Sequence, residues 1–384
     1  MVAQNKGTTG NCESHTVKQG GVEESILRDL REKINAVDDE LLALLSRRAT
    51  YSLEVGKLKA KSAMPVFRPA REKVLLDQLL SRNPGPLPEA HLLAVYREIL
   101  SSSRALQRRE QVAFLGPEGT FSHNACQEFF GEAQSCRPAT SLADIFAAVE
   151  SGESSFGVVP LENSLNGSVG QSLDLFIKHQ VYVKAEWFSR ICLSLISRES
   201  KMEDIRVIYS HAQPFGQAAG WLREYLPKAR QVALESTALS ACRAAEEPGS
   251  AAIGHSGMAQ RLGLTVLASS IEDNSDNWTR FFVIGNSPAC EENAEKSSIV
   301  FALPNTPGAL AKMLNTLSEA GINMSKLESR PMQGELWQYI FFTDLDCDLL
   351  APSHAEMLQK LKSNSVYFRV LGAYPCGRQI RVSE

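Results

Sequence analysis

Residues 277–285 join a polar turn to an apolar segment, and the junction carries a hydroxyl beside a fixed positive charge. Phe281 and the apolar residues after it have high β propensity, so they predict a strand that is covered on both faces. Thr279 and Arg280 stand at the start of that strand. Because ligands of open α/β sheets bind at strand ends, we expect these two residues to contact a small anion, with Phe281 in the apolar wall.

Similar polar turns follow earlier apolar segments. Thr120 and Ser122 belong to a glycine-rich turn that opens a helical pattern, and backbone amides at a helix N-terminus bind anions. The ends of the other predicted strands carry hydroxyl, amide or carboxylate side chains, at Glu162, Asn163, Ser210, Gln217, Ser236 and Thr237. Such ends collect at one edge of a sheet. The strand order predicts two α/β lobes, residues 112–190 with 279–285 and residues 191–268, with the ligand between them.

The segment before residue 110 has a helical pattern instead. Apolar residues recur at helical spacing from Leu27 to Leu45, and no proline interrupts residues 23–64, so we expect one very long helix. Shorter helical patterns at 70–80 and 89–109 complete a three-helix segment. Three helices of these lengths cannot bury the longest one, which predicts a homodimer.

Cations on the predicted long helix are spaced so that they could bracket a small ligand. Arg48 and Lys59 are eleven residues apart, which places them on one face with about 16 Å of rise between them. Arg31 precedes Arg48 by seventeen residues, about 26 Å away and on another face. If all three act together, the first of them must be Arg31 of the partner subunit. The alternative is that these charges form only the solvated face of a helix.

The C-terminal segment has the pattern of a small α+β domain. Strands are predicted at 298–303, 323–329, 337–344 and 368–374, and helices at 309–320 and 352–361. This β-α-β-β-α-β order is the ferredoxin-like arrangement.

Size and composition limit the class of protein. A chain of 384 residues is too long for one core, and fractions of 43% hydrophobic and 22% charged residues are typical of a soluble globular protein. The net charge of −4 argues against nucleic acid as a partner, and no apolar run is long enough to span a membrane. The eight scattered cysteines favour reduced thiols in the cytoplasm, with no zinc site and no other cofactor. No signal-peptide pattern is present, and residues 1–22 are expected to form a disordered tail.

Four stretches of the helical segment carry the three cations described above, a further cation and a carboxylate: Leu-Arg31-Glu-Lys-Ile, Leu-Leu-Ala-Leu-Leu-Ser-Arg-Arg48, Val-Gly-Lys-Leu-Lys59 and Arg71-Glu72. They resemble the all-helical chorismate mutase domain, which rearranges chorismate to prephenate in a pericyclic step. Such a step needs a compact substrate conformer and stabilised charge on the ether oxygen, but no nucleophile.

The resemblance implies roles for individual residues of the mutase segment. Arg31 of the partner subunit, Arg48 and Arg71 would hold the two substrate carboxylates. Lys59 and Gln107 would contact the ether oxygen, and an amide donates a hydrogen bond there at any pH. Glu72 would bind the ring hydroxyl. Ser103 would join the substrate contacts, and Arg68, where some relatives carry Asp, is left unassigned.

Four motifs of the middle segment occur in a fixed order: Gly-Pro-Glu-Gly-Thr-Phe-Ser, Pro-Leu-Glu-Asn-Ser, Glu-Ser-Thr-Ala and Asn-Trp-Thr-Arg-Phe-Phe. They resemble prephenate dehydratase, which removes carbon dioxide and water from prephenate to give phenylpyruvate. The resemblance implies that Thr279 assists departure of the ring hydroxyl. Glu162 is the nearby group that could act as an acid, or else it caps backbone amides at a strand end. The remaining strand-end residues, with Arg280 and Phe281, would position the substrate.

The motifs Pro-Gly308-Ala309-Leu310 and Glu328-Ser329-Arg330-Pro331 resemble the ACT regulatory domain of phenylalanine-regulated dehydratases. Gly308 would let backbone amides approach the carboxylate of an amino acid. Asn305 and Glu328 would lie near its ammonium group. The resemblance implies feedback inhibition by L-phenylalanine at a dimer interface.

Together the motifs predict a bifunctional chorismate mutase–prephenate dehydratase with a regulatory tail. The predicted domains are residues 23–110, 111–287 and 297–384, in a homodimer or a pair of dimers. Two rival functions stay open: a non-catalytic amino-acid sensor that keeps this architecture, and a periplasmic-type solute-binding protein with a similar two-lobed middle segment.

Overall fold

The computed structural model describes residues 16–62, 64–288, 294–331 and 339–377. These residues form two compact units that divide after Met64. The predicted tail falls mostly outside them, since residues 1–15 are not described. Helix α1, Thr16–Lys61, begins inside the range expected for the tail.

Helix α1 confirms the prediction of one very long helix, with 46 residues. Its apolar stripe lies on the surface of its unit: Leu27, Leu30, Ile34, Val37, Leu41, Leu44 and Leu45 are all exposed. An exposed stripe of this length needs a covering surface, because large contiguous apolar patches mark interaction sites. Within the described ranges, no helix combines the length and the apolar character that crossing a membrane requires.

The second unit starts with two helices and continues into the first lobe. Helices α2, Pro69–Ser81, and α3, Glu89–Gln107, agree with the predicted patterns. The lobe contains α4 (Phe121–Phe130), α5 (Leu142–Glu150) and α6 (Gly170–Lys178). Its strands are β1 (Gln111–Leu115), β2 (Ser135–Ala139), β3 (Phe156–Asn163), β4 (Gly167–Ser168), β5 (Tyr182–Arg190) and β11 (Trp278–Gly285).

Strand β11 is the return strand that the sequence predicts. It lies antiparallel between β3 and β5 in the order β2-β1-β3-β11-β5. Phe281 and Phe282 point to opposite faces and enter two different apolar cores, which explains the uninterrupted apolar run.

The second lobe is a sheet of order β10-β6-β9-β7-β8. Its strands are β6 (Ser194–Ser197), β7 (Val207–Ser210), β8 (Arg230–Ala233), β9 (Ser250–Gly254) and β10 (Thr265–Ser269). Its helices are α7 (Ala212–Gln217), α8 (Ala219–Tyr225), α9 (Thr237–Glu246) and α10 (Gly257–Leu262). The chain enters this lobe after β5 and leaves it before β11, so the two-lobed prediction is confirmed.

The C-terminal sheet has the predicted β-α-β-β-α-β order. Its elements are β12 (Lys296–Ala302), α11 (Ala309–Glu319), β13 (Met324–Pro331), β14 (Tyr339–Leu345), α12 (Ala355–Ser363) and β15 (Tyr367–Tyr374), with strand order β13-β14-β12-β15. Part of the third predicted strand, residues 337–338, lies outside the described residues. A short 3-10 turn, Pro352–His354, precedes α12.

One face of this sheet shares an apolar core with the first lobe. Val300, Phe342 and Leu371 pack in the same cluster as Phe146 and Phe176. The opposite face packs on α11 and α12. The sequence predicts the domain but not this shared core.

Candidate active sites

Thr279 and Asn163 lie opposite each other on β11 and β3, and their side chains are hydrogen-bonded. Asn163 Nδ2 donates to Thr279 Oγ1 at 3.0 Å and to Asn277 Oδ1 at 2.9 Å. Its Oδ1 accepts from the backbone N–H groups of Leu165 and Asn166, each at 3.1 Å. These bonds fix the orientation of the amide. In the described part of the chain the hydroxyl proton of Thr279 has no acceptor, so it can be donated to an oxygen of a ligand.

A cavity of about 650 Å³ lies between the lobes beside this pair. Leu165 and Asn166 line it from the first lobe, and Gln213 and Gln217 line it from α7. Asn166 Nδ2 donates to Asn163 Oδ1 at 2.9 Å, which joins the cavity wall to the Thr279 pair. Gln217 Nε2 is buried and has no hydrogen-bond partner among the described residues. A ligand carboxylate or carbonyl would supply the acceptor that this amide lacks.

Several residues that the sequence predicts to contact substrate form hydrogen bonds with the protein's own backbone. Thr120 caps α4 by accepting from His123 N at 3.3 Å, and Ser236 caps α9 by accepting from Leu239 N at 3.1 Å. Ser210 donates to Ile253 O at 3.0 Å. Two further predicted contacts, Ser122 and Thr237, are buried in the first turns of α4 and α9. Turn chemistry therefore accounts for part of the hydroxyl pattern.

His123 supports the glycine-rich turn before α4. Its Nδ1 accepts from Gly119 N at 3.1 Å and faces Arg261 Nη1 at 3.2 Å, so Nδ1 must carry no proton. Burial, and next the charge of Arg261, lower the pKa of His123 below its ordinary value, while Glu118 opposes this shift.

We expect the folded protein to lose stability as acid protonates His123. Because the folded-state pKa lies below 6.5, the contribution is complete above that pH and is lost as the pH falls through the folded-state value. A His123→Gln variant should show a shallower fall in Tm between about pH 7 and pH 5. His91→Gln, which changes an exposed histidine, should keep the wild-type slope; equal slopes in all three proteins would contradict the prediction.

Glu162 does not lie with Thr279. Neighbouring strand residues point to opposite faces, so Asn163 faces Thr279 whereas Glu162 faces the C-terminal sheet. Glu162 Oε2 is 2.8 Å from Lys326 Nζ on β13. The structure therefore differs from the prediction that Glu162 acts as an acid beside Thr279.

Arg280 and Phe281 also differ from their predicted roles. Arg280 donates to Glu186 Oε2 at 2.8 Å and to Asp344 Oδ2 at 2.5 Å, and its side chain is only 8% exposed. Burial lowers the pKa of Arg280, but the interactions with Asp344, Tyr374 and Glu186 raise it by more. The pKa of Arg280 is therefore above its ordinary value. Phe281 is 1% exposed in the core behind the sheet. Arg280 thus binds two carboxylates of the protein, and Phe281 is a core residue.

The predicted mutase residues lie on three helices. Arg31, Arg48 and Lys59 lie along α1, where Arg31 is exposed and the other two are half-buried. In the second unit, Glu72 on α2 pairs with Arg104 on α3 at 2.5 Å. The neighbouring residue on α2, Arg71, is exposed. On α3, the hydroxyl of Ser103 donates to Ile99 O. Gln107, also on α3, has a buried Oε1 without a hydrogen-bond partner among the described residues.

The predicted amino-acid site contains a left-handed glycine. Gly308 has φ of 81° immediately before α11, a conformation that side chains disfavour. Ala309 and Leu310 begin that helix, and Asn305 precedes the turn. On β13, Glu328 alternates with exposed Ser329 and lies between Lys326, at 3.5 Å, and Arg330, at 4.0 Å.

Three protein-family models match the chain: chorismate mutase type II at residues 30–108, prephenate dehydratase at 112–289 and the ACT domain at 297–362. Together with the observed elements, they confirm the predicted fold classes of the helical, two-lobed and C-terminal segments.

Relatives and solved structures extend these matches. A bifunctional chorismate mutase/prephenate dehydratase of Aquifex aeolicus is 35% identical, and the match covers 91% of this chain and 98% of the relative's length. The enzyme of the same name from Pseudomonas aeruginosa is 38% identical, and the match covers 91% of this chain and 97% of that relative. The structure of Arthrobacter aurescens prephenate dehydratase in complex with L-Phe has a TM-score of 0.64 at 34% identity, over 69% of this chain and 90% of its own. A structure described as a quorum-quenching acylase has the same TM-score at 29% identity, and the match covers 69% of this chain and 98% of that protein. At the identities and coverage of the two relatives, this chain belongs to the family of bifunctional chorismate mutase/prephenate dehydratases.

Proposed function

We propose that the chain rearranges chorismate to prephenate on its helical segment, converts prephenate to phenylpyruvate between the two lobes, and is inhibited by L-phenylalanine at its C-terminal domain. The Thr279–Asn163 pair beside the 650 Å³ cavity is the observation that carries the dehydratase step. We place the domains at residues 23–110, 111–287 and 297–384, in the cytoplasm. The free state of the cysteines Cys126, Cys136, Cys192, Cys242, Cys347 and Cys376 supports that location.

For the mutase step, the proposed site combines two copies of the chain. Arg48, Lys59 and Arg71 would hold the substrate with Arg31 of the partner subunit. The exposed apolar stripe of α1 supports a dimer, since a second copy would cover it. Glu72 would accept a hydrogen bond from the ring hydroxyl, and Gln107 would donate to the ether oxygen.

For the dehydratase step, the C–C bond to the departing carboxylate breaks and its electron pair enters the ring. The ring hydroxyl leaves with its C–O electron pair, and the ring becomes aromatic. Thr279 would donate a hydrogen bond to that oxygen and relay a proton to it from water, since an alcohol is a weak acid by itself. Gln217 would bind the pyruvyl group through its unpartnered Nε2.

For the feedback step, a series of side-chain ion pairs connects the proposed amino-acid site to the first lobe. Glu328 lies between Lys326 and Arg330. Lys326 pairs with Glu162, and Arg330 Nε donates to Asp174 Oδ1 at 2.7 Å. An ammonium group bound by Glu328 would compete with Lys326 and Arg330 for that carboxylate. Such competition is a differential interaction between liganded and free states, which regulation requires.

We expect Lys326→Met to weaken inhibition of the dehydratase by L-phenylalanine. The variant removes the charge that links Glu328 to Glu162, so saturating L-phenylalanine should lower the affinity for prephenate less than in the wild type. The difference should be the roughly 5- to 150-fold that a coupling of 1–3 kcal/mol represents. Uninhibited kcat should stay within about threefold because Lys326 does not contact Thr279 or Asn163. Lys360→Met, which removes an exposed pair with Glu356, is the control. Unchanged inhibition in Lys326→Met would contradict the coupling.

The proposed function is tested by following prephenate and phenylpyruvate separately during chorismate turnover, with and without L-phenylalanine. Both products should appear, and L-phenylalanine should suppress phenylpyruvate. A protein that binds L-phenylalanine but forms neither product would be an amino-acid sensor. Sedimentation of the same sample distinguishes a monomer, a dimer and a pair of dimers.

A further inference from the structure

Arg104 is a buried cation to which the resemblance assigns no role. It lies in the last turn of α3 and is 4% exposed. Its Nη1 donates to Glu72 Oε2 at 2.5 Å, and its Nη2 donates to Phe130 O at 2.6 Å. One guanidinium therefore connects a proposed mutase residue on α2 to the end of α4 in the first lobe.

The surroundings of Arg104 hold the guanidinium in place. It lies over the rings of Phe67, at 5.5 Å, and Phe130, at 5.8 Å. Nearby, Glu98 Oε2 accepts from Glu132 N at 2.9 Å, so α3 has a second hydrogen bond to the same end of α4. The planar group thus has aromatic contacts, a carboxylate and a carbonyl as partners, which a lysine ammonium could not match together.

The bond to Glu72 has a consequence for the mutase site. Oε2 is occupied by Arg104, whereas Oε1 forms no hydrogen bond in the described part of the chain. A carboxylate that is held at one oxygen presents the other in a fixed direction. Catalytic groups need such support, because a misplacement of about 1 Å can cost about 10²-fold in rate.

We propose that Arg104 is a positioning residue for the mutase reaction: it orients the Glu72 carboxylate toward the ring hydroxyl and anchors α2 and α3 to the first lobe. The proposal rests on the role of Glu72 given under the proposed function. A buried pair of this kind need not stabilise the fold more than apolar residues would, which is consistent with a role in orientation.

A double-mutant cycle in the full chain tests the proposal with three variants: Arg104→Lys, Glu72→Gln and both together. Arg104→Lys should lower the mutase kcat by roughly 10- to 100-fold, with a small change in KM. In the Glu72→Gln background the same change should cost less than about twofold, because the group that it orients is already altered. Prephenate dehydration by Arg104→Lys should stay within about threefold of the wild type.

Arg97→Lys is the matched control, because Arg97 is on the same helix and its pair with Glu98 is partly exposed. If Arg104→Lys does not fold, judged by circular dichroism, Arg104→Gln replaces it, since glutamine keeps a hydrogen-bond donor without adding an unpaired charge. Equal losses in the wild-type and Glu72→Gln backgrounds would show that Arg104 acts through packing alone and would overturn the proposal. A Glu72→Gln enzyme with normal mutase kinetics would instead overturn the role of Glu72, and the inference with it.

Discussion

Replacing Thr279 with valine is expected to lower the dehydratase kcat about 10²- to 10⁴-fold, the usual contribution of a positioned proton donor. Valine keeps the shape of the side chain but removes the hydroxyl that we propose donates to the departing oxygen. The KM for prephenate should change little, because Gln217 and the rest of the cavity remain. Mutase turnover should be unaffected. Steady-state rates with prephenate and with chorismate measure both activities on one preparation.

Two variants separate catalysis from folding in this experiment. Thr279→Ser keeps the hydroxyl and should retain much of the activity. Thr343→Val removes a buried hydroxyl that has no partner among the described residues, and it should leave kcat unchanged. Dehydratase turnover near normal in a folded Thr279→Val protein would remove Thr279 from the mechanism.

Replacing Arg280 with methionine is expected to reduce the free energy of unfolding by about 3–5 kcal/mol. The change leaves Glu186 and Asp344 buried without the guanidinium that lies between them. Urea denaturation of the full chain measures the loss. Arg243→Met, which breaks a partly exposed pair with Glu247, should cost less than about 1 kcal/mol.

The same variant distinguishes two roles for Arg280. If Arg280 only joins the first lobe to the C-terminal sheet, the folded variant should keep its KM for prephenate. A large rise in KM with little loss of stability would restore the role that the sequence predicts, in which Arg280 binds a substrate carboxylate.

The secondary structure was largely predictable because its signals are local. The 3.6-residue periodicity of α1, the apolar run of β11 and the turn chemistry around Gly308 each require nearby residues only. The sequence does not predict strands β2, β4, β5, β6 and β10. Both β2 and β10 are partly exposed at sheet edges. Strand β2 lacks a continuous apolar run, and β10 has only the short run Val266-Leu267-Ala268 between polar residues.

The sequence predicts which residues gather near the candidate sites, but not to which face of the sheet each side chain points. Asn163 and Thr279 meet as expected at the end of β3, whereas their neighbours Glu162 and Arg280 point to the opposite face of the same strands. Because neighbouring strand residues point to opposite faces, alternation alone would have placed Glu162 and Arg280 on the face away from Asn163 and Thr279. The partners Lys326 and Asp344 could not have been found, because they lie far along the chain in another domain and no local pattern marks them.

The apolar core that joins the C-terminal sheet to the first lobe has a consequence for how this chain can change. A regulatory module held by a linker can be exchanged or lost while the catalytic part stays intact. Here Val300, Phe342 and Leu371 fill space beside Phe146 and Phe176, so removal of the sheet would leave the interior of the lobe open to water. A substitution on either side of this shared core therefore has to fit the shape of the other side.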